Sequence, residues 1–261
     1  MQLWRQGDDY EPFVGRWSRV VAREFVPWLG VAYGCRWLDV GCGTGALTET
    51  VLALAAPESV VGVDRSADFV AFARSRIEDP CARFIVADAM DLPLPDGAVD
   101  AVVSGLVLNF VPDPGRAVRE MARLLRPGGT LGIYLWDYAG EMQMLRHFWD
   151  AAVAQDSAAL AHDEGERFGA LCRPDAMTVL LRDGGLTNIE TSAIDIPTRF
   201  ADFDDYWTPF LRAQAPAPAH VASLAEEARA ALRERLRRRL PTAPDGSISL
   251  IARAWAVKCV R

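Results

Sequence analysis

Lysine is almost missing from this chain of 261 residues: of its 28 basic residues only Lys258 is not an arginine. The formal net charge is −7, so the mean field of the molecule repels nucleic acid and anionic membrane surfaces. The arginine usage is therefore read as codon bias rather than as a phosphate-binding surface. Cysteine is sparse, odd in number and scattered (Cys35, Cys42, Cys81, Cys172 and Cys259), never as C-x-x-C. That spacing excludes a disulfide framework and a Cys-based zinc site, and it suits a reducing cytoplasm. There are three histidines and no H-E-x-x-H, so no metal is expected. Long apolar runs are missing too. The most apolar stretch, Ala101 to Val111, is about half a bilayer span and is broken by Ser104 and Asn109. The opening residues lack the apolar core of a signal peptide. The expectation is a soluble, cytoplasmic protein with no membrane span and no nucleic-acid partner.

What is present is ordinary globular material, 51% hydrophobic and 24% charged. A single fold of this size buries roughly 70–75% of the surface its unfolded chain exposes. Val20, Val21, Phe25 and Leu29 recur at helical spacing and predict a first helix over Ser18–Trp28. Short apolar segments then alternate with helical ones. Arg36–Val40, Val60–Val63, Arg83–Ala87, Val99–Ser104 and Leu131–Leu135 read as strands. Leu47–Ala55, Ala67–Arg76 and Arg116–Leu125 read as helices, and Arg126-Pro127-Gly128-Gly129 as the turn before the fifth strand. This alternation predicts an α/β fold, a doubly wound and mostly parallel sheet covered on both faces.

The second half reads as helix over Asp137–Cys172 and Arg173–Asp183, strand over Asn188–Ile196, and helix over Phe200–Leu240, interrupted at Ala215-Pro216-Ala217-Pro218. Ser247–Val257 alternates and predicts a final, antiparallel strand near the sheet edge, making seven. The expected organisation is an N-terminal lid and first helix over residues 1–30, a ligand-binding core over 31–136, and the remaining strands over 137–261. Two helical cap insertions, about 137–172 and 200–240, are expected at one end of the sheet, over any ligand.

Chemistry concentrates at the end of the first strand, in Leu38-Asp39-Val40-Gly41-Cys42-Gly43-Thr44-Gly45. Glycines there permit unusual backbone angles and close approach of a ligand, and the following helix adds oriented N–H donors. Alone, three glycines in five residues equally describe a plain turn. Spacing adds the rest: Asp64 ends the second strand 19 positions after Gly45, and Asp88 follows the third. Acids at successive strand ends converge on the cleft where open α/β sheets bind ligands, and the first of them suits the hydroxyls of a ribose.

On these motifs the sequence resembles class I S-adenosylmethionine-dependent methyltransferases, of the broad group that includes the ubiquinone and menaquinone biosynthesis enzymes. The resemblance runs from Arg36 to Leu135. The loop reads G-x-G-x-G, which departs from the G-x-G-x-x-G of dinucleotide-binding dehydrogenases. The resemblance implies a Rossmann-like fold, S-adenosylmethionine as cofactor with S-adenosylhomocysteine as product, and methyl transfer to a small, apolar acceptor by in-line displacement. It implies that Gly41, Gly43 and Thr44 border the methionine part of the cofactor, with Asp39 positioning the loop. Asp64 would hold the ribose hydroxyls with Arg65 beside the adenine, which Asp88 and the Ala89 N–H would recognise. Ser104 and Leu106 would contact the cofactor near its reactive end, and Leu124–Leu131 matches the family's turn before strand five.

Candidates for the chemistry itself are few. A general base is needed only when the acceptor loses a proton during attack. Asn109 lies where relatives carry a His or Asn near the methyl group, and His147 is the second candidate, alongside Tyr138. His147 falls among Met144, Phe148 and Trp149 and reads equally as a half-buried structural residue, while His162 and His220 read as surface. Trp4, Tyr10, Phe13 and Trp17 suit a lid, with Trp17 on the cofactor, or else packing of the first helix. Trp136, Trp149, Phe203, Tyr206, Trp207 and Phe210 suit an acceptor pocket or the core of the cap. The arginines between Arg229 and Arg239 interleave with Glu226, Glu227 and Glu234 above an apolar stripe, the pattern of a solvated amphipathic helix. Two other functions compete: a regulatory protein that binds the cofactor without turnover, and an RNA or protein methyltransferase.

Overall fold

The computed structural model describes residues 15–212 and 215–261. Trp4, Tyr10 and Phe13 lie outside the described residues. The chain divides into two compact units. One gathers Ser18–Leu135, Arg173–Ile194 and Trp255–Arg261; the other gathers, of the described residues, 15–17, Trp136–Cys172 and those of Asp195–Ala254.

Seven strands form a sheet of order β3-β2-β1-β4-β5-β7-β6. Its strands are β1 (Arg36–Val40), β2 (Ser59–Asp64), β3 (Ala82–Val86), β4 (Val99–Gly105), β5 (Leu125–Trp136), β6 (Thr187–Phe200) and β7 (Ile248–Val260). The first five pair in parallel, β1 with β2 from Arg36↔Ser59 to Val40↔Val63, and β1 with β4 from Trp37↔Ala101 to Asp39↔Val103. On the other flank Arg261 N donates to Gly129 O and Asp137 N to Arg253 O. Partner numbers rise on β5 as they fall on β7, so that pair is antiparallel. β7 lies inside the sheet and β6 forms the edge. Trp37, Leu38, Val40, Ala101, Val102 and Val103 are all essentially inaccessible to solvent, as strands covered on both faces must be.

The helix α1 (Arg16–Leu29) precedes β1, and helices follow strands at α2 (Ala46–Ala55), α3 (Ala67–Arg76), α4 (Pro114–Leu124) and, after a long excursion, α7 (Pro174–Asp183). Local chemistry starts them. Ser66 caps α3 by accepting from Phe69 N, and Asp113 caps α4 by accepting from Arg116 N, with Pro114 in the first turn. The α4 face that packs inward is Ala117, Val118, Met121 and Leu124.

One sequence expectation changes here. Arg126–Gly129 does not precede the fifth strand but interrupts it. Leu125 already pairs with Val99, and the ladder resumes at Ala101↔Thr130. The extra residues bulge outward. Gly128 takes φ +76°, and a Cβ on Gly129 would come within 2.9 Å of the Arg126 and Asp100 carbonyls. Asp100 anchors the bulge by accepting from Arg126 Nε at 2.6 Å and Arg36 Nε at 3.1 Å. Those guanidinium bonds, Arg36 first, hold its carboxyl well below the usual range.

The second unit contains α5 (Gln143–Gln155), α6 (Glu164–Phe168), α8 (Phe203–Trp207), α9 (Pro216–Ser223) and α10 (Glu226–Arg239). The prolines expected to interrupt a helix open one instead: Ala215 is the cap and Pro216 the first residue of α9. The aromatics form its core. Phe148 stacks on Phe210 at 4.6 Å, Phe200 meets Tyr206 at 5.2 Å, and Tyr206 OH donates to Met144 O at 2.9 Å. On α10, Leu232 and Leu236 are buried, while Arg233 pairs with Asp204 at 2.8 Å and Arg239 with Asp150 at 3.4 Å. Among the described residues no helix is long and apolar enough to cross a membrane.

Candidate functional site

The end of β1 turns sharply. Gly41 N and Cys42 N both donate to Val63 O, at 2.7 and 2.9 Å, which folds the loop against β2. Gly41 has φ +78°, and a Cβ there would sit 2.5 Å from the Val107 methyls. Glycine is required on both counts. Gly43, φ +51°, differs: a Cβ on it would meet nothing within 4 Å. The loop is thus braced at Gly41 and open at Gly43. Gly45 caps α2 without offering a side-chain acceptor, and in the first turn the Thr48 N–H faces the Asp39 carboxylate while the Glu49 N–H donates to Gly45 O.

Two carboxylates, the buried Asp39 and the half-buried Asp64, support this loop. Asp64 Oδ2 accepts from Gly43 N at 3.0 Å and Oδ1 accepts from Ser66 N at 2.8 Å. Burial raises its pKa, while the two N–H bonds and the Arg65 charge oppose the shift. Asp64 therefore fixes the loop, and each oxygen keeps a lone pair for a hydroxyl donor. Asp39 is completely buried; Thr48 Oγ1 on α2 donates to its Oδ2 at 2.7 Å, and Oδ1 has no partner. Burial pushes its pKa up to about 7, with the neighbouring Asp64 charge adding to the rise.

The other expected residues fall in varied places. Asp88 is exposed after β3 and turns its Oδ1 onto Met90 N at 2.9 Å; Ala89 is half-buried and Arg65 exposed. Ser104 is buried, but its hydroxyl donates to Val40 O at 2.8 Å, tying β4 to the end of β1. Leu106 takes φ +63° and donates its N–H to Tyr134 O at 2.8 Å. That strained corner delivers Val107 against Gly41 and starts the single turn Leu108–Phe110. Asn109 lies in that turn, with both amide atoms shielded from solvent and unpartnered. Thr44 is buried in the loop.

Two candidates belong to the second unit. His147 is half-buried on α5, its pKa lowered by burial and influenced by Asp150 and Arg239. Trp17 is buried edge-on against Phe200 at 5.4 Å. The same unit has an open groove of about 520 Å³ lined by Trp207, Leu211, Glu226, Arg229 and Arg233. Its charges are engaged with Glu226 and Asp204, so it presents no reactive group. Among the described residues no cluster of three or more His, Cys, Asp or Glu is placed to hold a metal ion. Sequence reading missed Thr48, Ser66 and Val107. Only Thr48 left a signal there, a hydroxyl in the first turn after the glycine loop.

A parallel sheet whose first strand ends in a glycine loop, with an acid at the end of the second, defines a doubly wound α/β domain built for an adenosine-type cofactor. Residues 38–133 match the methyltransferase domain family. The chain is 37% identical over 120 residues to a demethylmenaquinone methyltransferase of Symbiobacterium thermophilum, covering 44% of this chain and 47% of that protein. It is 30% identical over 184 residues to a 2-methyl-6-phytyl-1,4-hydroquinone methyltransferase of Synechocystis, covering 69% of this chain and 56% of that one. The matched curated relatives are covered over 28% to 66% of their own lengths. In fold, the YcgJ protein of Bacillus subtilis superposes with a TM-score of 0.62 at 16% identity, over 93% of this chain and 98% of that one.

Proposed function

We propose that the protein is an S-adenosylmethionine-dependent methyltransferase acting on a small, apolar acceptor. The observation that carries this reading is the Gly41–Gly45 loop, braced by Val107 and Asp64 yet open at Gly43. The orphaned Asp39 oxygen nearby and the orphaned Asn109 amide are further polar atoms that a bound ligand satisfies, directly or through water. The residues present fit the cofactor. Gly41, Gly43 and Thr44 would border its methionine part and Asp64 its ribose, with Arg65, Asp88 and Ala89 at the adenine. Ser104 would act through the backbone it anchors rather than through its hydroxyl.

The cofactor supplies a methyl group on a sulfonium, already activated for displacement. What remains for the protein is alignment, which contributes several kcal/mol through restricted geometry. Asn109 carries a donor and an acceptor and no charge, so it suits an acceptor oxygen, held by the amide N–H, better than a cation. His147 is kept neutral near pH 7 by its burial and is the proton acceptor we assign if the acceptor must lose one. The quinone-ring substrates in the names of two relatives agree with an apolar acceptor bearing a hydroxyl. Acceptor choice is assigned to the segments outside the family match, about 137–172 and 200–240.

Calorimetric titration with S-adenosylhomocysteine and with NAD tests the cofactor. Incubation with methyl-labelled cofactor and a hydroquinone panel tests the transfer. Binding of the first ligand with label appearing in a hydroquinone is expected. Stabilisation by NAD alone refutes the reading, and binding without transfer to any small acceptor leaves a regulatory protein.

A further inference from the structure

β3 stands at one end of the sheet, beside β2. The register decides which of its backbone groups face outward. Val60 N donates to Cys81 O at 2.8 Å, and Ala87 N donates to Asp64 O at 3.0 Å. Bonds of a parallel pair use alternate residues of a strand, so Cys81, Arg83, Ile85 and Ala87 turn to β2. Ala82, Phe84 and Val86 therefore turn their N–H and C=O groups to the open edge. Such a row is a template for pairing with another strand.

The chain itself engages part of that row. Ala82 N donates to Asp79 O at 2.9 Å. Arg74 is exposed in the last turn of α3 and reaches the middle of the edge, where Nε at 3.2 Å and Nη2 both donate to Phe84 O. Val86, at the end of the strand, is 51% exposed. All these residues belong to the first unit.

The edge is self-complementary about Phe84. Laid antiparallel across a two-fold axis, two copies of β3 place Phe84 opposite Phe84 and Ala82 opposite Val86, and each such pair exchanges both of its N–H···O bonds. The central pair needs Phe84 O from both copies, and the flanking pairs need Ala82 N. Only the bonds from Val86 N to Ala82 O use groups that the chain does not itself engage among the described residues. The two Arg74 guanidiniums also meet near the axis, where like charges repel.

We propose that Arg74 guards this edge: by holding Phe84 O it keeps β3 from pairing with β3 of a second copy of this chain.

Sedimentation equilibrium of the full chain compares wild type, Arg74→Met and Arg74→Ala, each with and without Val86→Pro. Methionine and alanine both suit an exposed helical position. Proline removes the Val86 N–H that the pair needs and is tolerated on an edge strand, and the bonds of β3 to β2 do not use that group. Freeing Phe84 O in both copies makes self-association of Arg74→Met and Arg74→Ala about 5–150-fold tighter than that of wild type. Val86→Pro returns it to the wild-type value, and amide exchange at Val86 slows in the associated Arg74→Met sample. Association of both variants equal to that of wild type overturns the proposal. So does tighter association that persists with Val86→Pro or leaves exchange at Val86 unchanged, because another surface is then responsible. A lower melting temperature with unchanged association overturns it too, since Arg74 then only braces α3 against β3. If the Val86→Pro proteins fail to fold, exchange at Val86 in Arg74→Met decides alone.

Discussion

Asp64→Asn isolates the group on which the loop and the cofactor reading both turn. In wild type its two oxygens accept from Gly43 N at 3.0 Å and Ser66 N at 2.8 Å. The amide keeps one acceptor oxygen and turns an NH2 group toward the other N–H, so one of the two bonds is lost. A hydrogen bond to a charged group is worth about 1.5–3 kcal/mol, and the loop regains part of this from water. A net loss of about 1–2 kcal/mol lowers the melting temperature by roughly 2–8 °C. The ligand effect is larger, because the ionised acceptor for two hydroxyls is gone and the loop no longer holds Gly43 in place. Affinity for S-adenosylhomocysteine falls about 10–150-fold. Since burial raises the Asp64 pKa, wild-type affinity also declines toward acid sooner than for an exposed aspartate, and the variant loses that dependence. Calorimetric titration at several pH values, with melting curves on the same samples, measures all three effects. A folded Asp64→Asn protein that binds the ligand with wild-type affinity would refute the reasoning.

Other perturbations separate bracing from binding. Gly41→Ala combines a positive φ with overlap against Val107 and costs about 2–5 kcal/mol in denaturant unfolding. Gly43→Ala meets open space, costs about 1–2 kcal/mol for its backbone, and abolishes ligand binding in a folded protein; titration of both variants tests that contrast. Asp39, with its folded pKa raised from 3.8 to about 7, holds more protons folded than unfolded, so its contribution is complete below about 4 and lost as pH rises to about 7. The fall is at most about 4 kcal/mol, and Asp39→Asn flattens stability against pH across that window, as denaturant titrations at each pH will show. Phe210→Ala removes a fully buried ring stacked on Phe148 and destabilises the second unit by about 3–5 kcal/mol; unchanged unfolding midpoints contradict that role.

The parts of this fold that were legible in the sequence are those fixed by nearest neighbours along the chain. Arg36–Val40 and Ala67–Arg76 stand where the sequence pattern puts them, because apolar runs and helical spacing act within a few residues. The glycine loop was legible for the same reason. Residues 126–129 were misplaced because their conformation is set from a distance, by Asp100 on the neighbouring strand and by the carbonyls that exclude a Cβ at Gly129. A Pro-Gly-Gly run announces a departure from regular backbone, but not whether the ladder has already begun.

Site residues divide along the same line. Gly41 and Asp64 could be named from spacing, yet what the structure does with them, a loop pinned to Val107 and a carboxylate bridging two backbone N–H groups, depends on the packing of β4 and β2 beside β1. Ser104 shows the limit. Its position at the end of β4 was readable, but which way a hydroxyl turns is decided by the nearest unsatisfied carbonyl, here Val40 O at 2.8 Å. Arg16 shows the converse. Nothing local distinguishes it among so many arginines, and its surroundings are set by Trp17, Phe200 and Asp205, up to 189 positions away, which pack on or bond to its guanidinium. Spacing along the chain identifies a backbone turn, whereas the surroundings of a side chain are defined by contacts between distant segments.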